Sequence, residues 1–153
     1  MKRIFERLNE MSFVLPKGYS VSTDKYNLPN GQGFINTENY LATNGNVLSF
    51  FEIYRSADEF FESYESVYKD QAYSKNVKLE KTFKLRLGEY VFPIYILNFE
   101  NEKKLYTVQV FIDCGDCLGC IMFQIDKISS DLKTIISQNK IFQEVMQLLR
   151  SVE

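Results

Sequence analysis

Three cysteines recur at intervals of three in the segment Cys114-Gly-Asp-Cys-Leu-Gly-Cys120. Thiolates at such spacing can wrap a zinc ion or open an iron–sulfur site, and such sites are normally completed by four protein ligands. The chain has no fourth cysteine and no histidine, so only the carboxylate of Asp113 or Asp116 could complete a set built on Cys114, Cys117 and Cys120. A second chemistry is a dithiol couple, either Cys114 with Cys117 or Cys117 with Cys120. Thioredoxin-type pairs lie at a helix N-terminus, which lowers the thiolate pKa, and a hairpin tip has no comparable dipole. The third reading makes the cysteines structural. It is the reading preferred here, and with it no metal and no cofactor are expected.

The absence of histidine reaches further than the metal question. It removes the commonest general base and closes every Ser-His, Cys-His and His-metal mechanism in cis. The Gly31-Gln-Gly33 segment is a weak phosphate cradle, because no hydrophobic strand precedes it and no helix follows; turn glycines fit better. The carboxylates of Asp58, Glu59, Glu62, Glu65 and Asp70 are expected on the polar face of a helix. Tyr19, Tyr26, Tyr40, Tyr73 and Tyr106 fall off the periodic apolar positions, where they fit either partner contacts or turns and rims. No catalytic residues emerge, and the chain is not expected to be an enzyme.

The elements that must position these groups follow from periodicity. Ile4, Phe5 and Leu8 stand at helical spacing and suggest a short N-terminal helix over residues 1–12. Phe13-Val-Leu-Pro-Lys-Gly-Tyr19 reads as a brief extended segment ending in a turn, and residues 20–33 as a loop. Phe34-Ile35 and Leu48 to Tyr54 read as strands around an Asn44-Gly45 turn. Ser56-Ala-Asp-Glu59 spells a capping box, and Phe60, Phe61, Tyr64, Val67 and Tyr68 continue it as an amphipathic helix to about Tyr73.

The second half reads as sheet. Leu79, Phe83, Leu85 and Leu87 alternate with charged residues, among them Lys78, Lys81, Lys84 and Arg86, so this basic cluster (with Lys75 before it) is the wet face of a strand. Tyr90 to Phe99 is apolar on both faces and reads as central, although Pro93 implies a bulge or a locally unpaired edge. Tyr106 to Cys114 and Cys120 to Asp126 form a hairpin. Setting Ile112 opposite Ile121 leaves Gly115 to Leu118 as the loop, puts Asp113 opposite Cys120, and turns Cys114 and Cys120 to opposite faces. Ser129, Ser130 or Asp131 can cap a last helix, whose apolar stripe is interrupted only by Asn139, where a break or bend is expected.

The expected architecture is therefore α+β: an antiparallel sheet of about six to seven strands packed by helices, in the order α-β-β-β-α-β-β-β-β-α. At 153 residues it reads as one domain (residues 1–153), with a helix over 1–12 and an α+β body over 13–153. Such a domain buries roughly 70% of its unfolded surface and needs no metal or disulfide to fold. A net charge of −2 and a sequence pI near 5.3 argue against nucleic acid as partner. No stretch is apolar enough for a signal-peptide core or a membrane span, and a cytoplasmic location with reduced thiols is expected.

With the Phe13-Val-Leu-Pro-Lys-Gly-Tyr19 opening, this order resembles the PsbP-like superfamily, from about Phe13 to the C-terminus. That group includes extrinsic photosystem II subunits, a Ran-binding import factor and chaperones of type VI secretion effectors. The resemblance implies that Phe142 packs from the last helix onto the sheet, and that the chain is a non-catalytic protein-binding, chaperone or adaptor module. A sheet face or the 20–47 loop would hold a protein or peptide partner. The alternative is a metal- or redox-linked protein acting through Cys114, Cys117 and Cys120.

Overall fold

The computed structural model describes residues 2–3, 12–22, 33–69, 77–99 and 105–152. These form nine strands and three helices: β1 (Lys2–Arg3), β2 (Ser12–Phe13), β3 (Tyr19–Ser22), β4 (Phe34–Ala42), β5 (Val47–Ile53), α1 (Ala57–Lys69), β6 (Val77–Leu87), β7 (Tyr90–Phe99), β8 (Tyr106–Asp113), β9 (Leu118–Ile125), α2 (Leu132–Gln138) and α3 (Lys140–Ser151). Strands β3 to β9 make one antiparallel sheet in the order β3-β4-β5-β9-β8-β7-β6. Two meanders, β3-β4-β5 and β6-β7-β8-β9, are thus joined along β5 and β9. The chain passes from β5 to the far edge through α1.

Both faces of the sheet are covered. On one, Leu48, Phe50, Ile94, Val110, Ile121 and Phe123 pack beneath α2 and α3 together with Phe13 of β2. Phe142 meets Phe123 edge-on, ring centroids 5.0 Å apart, as the family resemblance implied. On the other, Phe51, Ile53, Tyr95, Phe111, Leu118, Cys120 and Met122 receive Phe60 and Tyr64 of α1. The alternating side-chain directions of β7, β8 and β9 feed both cores, which is why these strands are apolar at almost every position.

The helix ends follow their local chemistry. The Ser56 hydroxyl accepts from the Glu59 amide at 3.4 Å, starting α1, and Asp58 and Glu59 favour its positive end. Asp131 caps α2 by accepting from the amides of Lys133 and Thr134. Asn139 separates α2 from α3. Its side-chain amide donates to the Ile135 and Lys127 carbonyls, at 2.8 and 2.9 Å, and so satisfies backbone groups that the break leaves open.

Several expectations need correction. Lys2 and Arg3 are extended and pair with Phe13 and Ser12, so no helix begins there; Ile4, Phe5 and Leu8 lie outside the described residues. Residues 20–22 continue β3 rather than opening a loop, and residues 23–32 are outside the described set. The strand beginning at Phe34 runs on to Ala42, because Asn36 and Asn39 bond each other and Asn36 bonds the Phe50 carbonyl, keeping polar residues in the ladder. Most of the supposed 20–47 loop is therefore strand where it is described. Helix α1 is described to Lys69, and its expected end at Tyr73 lies beyond the described residues.

Two irregularities turn strands from one core to the other. Pairing shifts between Asn36 and Glu38 in β4, so Phe34 packs with α1 whereas Tyr40 packs beneath α3. Pairing shifts again between Leu79 and Lys81 in β6, so Leu79 reaches the α1 side while Phe83, Leu85 and Leu87 reach the α2–α3 side. One extra residue reverses the period-2 alternation. Pro93 itself is paired with Lys84, but β7 pairs with β8 only from Ile94 onward, so the proline nitrogen is not asked to donate there.

Candidate functional site

The β8–β9 hairpin carries the cysteines. Its register sets Phe111 opposite Cys120, Ile112 opposite Gly119 and Asp113 opposite Leu118, two residues away from the expected Ile112–Ile121 pairing. The turn is correspondingly tighter: the Cys114 amide donates to the Cys117 carbonyl at 3.1 Å across Gly115 and Asp116. Gly115 takes φ of +95°, a left-handed conformation that glycine adopts without Cβ strain, and its amide donates to the Asp113 carboxylate at 2.9 Å. A shift of two preserves parity, so the expected division of faces holds. Cys114 packs partly against the α2–α3 core, and Cys120 is fully buried in the α1 core.

The structure therefore brings Cys114 and Cys117 to face each other across a turn and sends Cys120 through the sheet. Among the described residues no three of His, Cys, Asp or Glu are grouped to hold a metal ion. None of the three cysteines is joined in a disulfide. Burial pushes Cys114 up to about 11, and Cys117, Asp113, Asp116 and Glu52 add to the rise. Complete burial raises Cys120 well above its ordinary value. Thiols held protonated in this way are poor nucleophiles and poor ligands at neutral pH.

The aromatic and acidic candidates are mostly structural. Tyr19 and Tyr40 are buried and Tyr106 packs against the same core, so none of these three offers an exposed ring; Tyr26 and Tyr73 lie outside the described residues. Asp58, Glu59, Glu62 and Glu65 are exposed on α1, and Glu65 accepts from the Tyr95 hydroxyl at 2.5 Å; Asp70 lies outside the described residues. Beneath α1 the Tyr68 hydroxyl donates to Tyr64, whose hydroxyl donates to Gln109 Oε1, whose amide donates to Met122 Sδ at 3.8 Å. Gln109 and Glu52, both buried, went unremarked in the sequence because each sits singly in an apolar strand.

Among the described residues, two surface features bear on binding. A cavity of about 340 Å³ opens beside the β4–β5 hairpin, lined by Asn46, Val47, Ser49, Thr107, Met122 and Gln124 among others; no residue on its lining carries a charge. The second feature is a groove beneath strand β6, the last strand of the sheet. Its larger part, about 690 Å³, lies between Leu85 and Leu87 of β6 and Leu132, Ile136 and Met146 of α2 and α3, with Lys133 and Arg150 on its lining. A cavity of about 420 Å³ continues it past the Gly88 turn, sharing Leu87 and Arg150. Sequence spacing marked the apolar and basic rows of β6 but could not show that a groove runs beside them.

No family model matches the chain, and no curated protein matches it in sequence. Among solved structures it is similar to cyanobacterial PsbP (CyanoP) from Synechocystis sp. PCC 6803, with a TM-score of 0.57 and 10% identity, over 99% of this chain and 91% of that one. It is also similar to a crystal structure from Bacteroides thetaiotaomicron VPI-5482, with a TM-score of 0.50 and 12% identity over 95% of this chain, which spans 45% of that longer one. At such identity the likeness carries architecture and not activity. With a seven-stranded antiparallel sheet covered by helices on both faces and this extent of structural overlap, the chain has the PsbP-like fold.

Proposed function

We propose that the chain is a non-catalytic, cytoplasmic binding or chaperone module that holds a protein or peptide partner. The observation that carries this reading is the long groove beneath an edge strand: among the described residues β6 ends the sheet, and an apolar trough lies alongside it. An exposed sheet edge with a neighbouring trough is the surface peptide-binding domains use, since main-chain bonds hold the guest and the trough selects its side chains. Several of the chemically capable groups, by contrast, are spent internally. The Tyr64–Gln109 pair and Cys120 lie in the core. No helix among the described residues is long and apolar enough to cross a membrane.

The test is affinity capture with the intact chain as bait in its native cell, after in-cell crosslinking. A partner recovered at near-equal stoichiometry, and recovered equally by a chain with all three cysteines changed to serine, is the expected result. Recovery of no partner overturns the binding reading. Loss of function specifically in the serine variant, with folding unchanged, would favour thiol chemistry instead.

A further inference from the structure

Resting on that binding reading, we infer that the outer edge of β6 takes an extended peptide of alternating apolar and acidic residues from a partner protein, added to the sheet as a further antiparallel or parallel strand. After the irregularity at Glu80, β6 presents two distinct rows. Phe83, Leu85 and Leu87 point to the α2–α3 side, where the groove lies. Thr82, Lys84 and Arg86 are exposed on the other side. Among the described residues neither Lys84 nor Arg86 forms an ion pair; the salt bridge of this strand is the 3.6 Å contact between Lys78 and Glu80.

A guest strand hydrogen-bonded along this edge sets alternate side chains beside each row. Those beside Leu85 and Leu87 enter an apolar trough, and those beside Lys84 and Arg86 meet two cations that have no ion-pair partner among the described residues. Lys133 and Arg150 add positive charge on the larger cavity, which has no carboxylate on its lining, and Glu89 stands on the lining of the smaller one. Charge decides the occupant. A second copy of this chain pairing through β6 would bring Lys84 and Arg86 beside the same cations of its partner, which is unfavourable. A guest with glutamate or aspartate at every second position is complementary on both counts. Edge lysines also serve simply to repel other strands, and the experiment separates that role from recognition.

The probe is a synthetic peptide of about eight residues, a typical strand length, alternating leucine or valine with glutamate. Its controls are a scrambled peptide of the same composition and a version with lysine in place of glutamate. Binding is read by fluorescence anisotropy and by amide hydrogen exchange. The alternating acidic peptide should bind, slow exchange along β6, and lose affinity by about tenfold or more in the Lys84→Glu/Arg86→Glu double variant. That variant should in turn prefer the lysine peptide, which also shows that it folds. Equal binding of the scrambled peptide, equal binding by the double variant, or no binding of any peptide overturns the edge assignment. If cellular capture meanwhile recovers a partner that the double variant retains, the binding reading stands and only the edge assignment falls. Charge-dependent peptide binding without a cellular partner gives the converse.

Discussion

The Tyr64 hydroxyl of α1 donates a 2.8 Å hydrogen bond to Oε1 of Gln109 on β8, tying the helix to the middle of the sheet inside an otherwise aromatic core. Both residues are buried, and the Tyr68 hydroxyl donates to the same Tyr64 oxygen at 2.9 Å. Tyr64→Phe leaves the buried side-chain carbonyl of Gln109 without this donor, so it should cost about 1–3 kcal/mol in urea unfolding despite removing one atom. Tyr64→Phe combined with Gln109→Leu should cost less than the sum of the single changes, because the orphaned acceptor is removed as well. Strict additivity would mean that the bond contributes nothing.

Asn139 makes a similar case from the opposite direction. On sequence periodicity alone, Asn139→Leu completes an apolar stripe and ought to stabilise a continuous helix. In the structure the side chain serves the Ile135 and Lys127 carbonyls and accepts from the Lys127 amide at 3.4 Å. The substitution should therefore destabilise by about 1–3 kcal/mol, measured by chemical denaturation. A gain in stability would show that the break between α2 and α3 does not need this residue.

The thiols predict an alkaline limb. Cys114 ionises at about 11 in the folded chain against an ordinary 9.0. The unfolded chain thus releases this proton first as pH rises. Stability from this group is complete below about pH 9, declines between about 9 and 11, and is lost above. Cys120 acts in the same sense through its burial. Denaturation midpoints measured across that window should fall, and Cys114→Ser should make the fall shallower. In the native protein a thiol reagent should modify Cys114 first and reach Cys120 only on global unfolding.

Gly115 holds the tight turn. Its φ of +95° is a conformation that costs a residue with a Cβ about 1–2 kcal/mol, although open space surrounds the position. Gly115→Ala should lose roughly that amount, and Gly115→Asn less, since asparagine tolerates the left-handed region better. Equal stability of all three would mean that the turn relaxes to another type.

Much of the local structure was legible in the residues. The Ser56–Glu59 signature started α1, Asn139 marked the break in the last helical segment, and alternation in Leu85, Arg86 and Leu87 gave the two rows of β6. Asn44-Gly45 marked the β4–β5 turn. The division of Cys114 from Cys120 followed from strand parity, and it survived a register error because the error was an even number of residues. These features depend on neighbours within a few positions, where periodicity and capping chemistry act.

What the chain by itself determined was therefore its inventory: α+β class, amphipathic α1, the hairpin turns, and the lack of any histidine-based machinery. Only tertiary structure decided that β5 pairs with β9, joining two meanders into one sheet, since that contact links segments some seventy residues apart. It also decided the irregularities at Asn36–Glu38 and Leu79–Lys81, because an extra residue is admitted where it lets a strand feed both cores, and nothing local reports the second core. The groove under β6 arises the same way, from how α2 and α3 dock against a distant edge strand. Burial and pairing across the sheet set these features, and both are properties of the assembled fold.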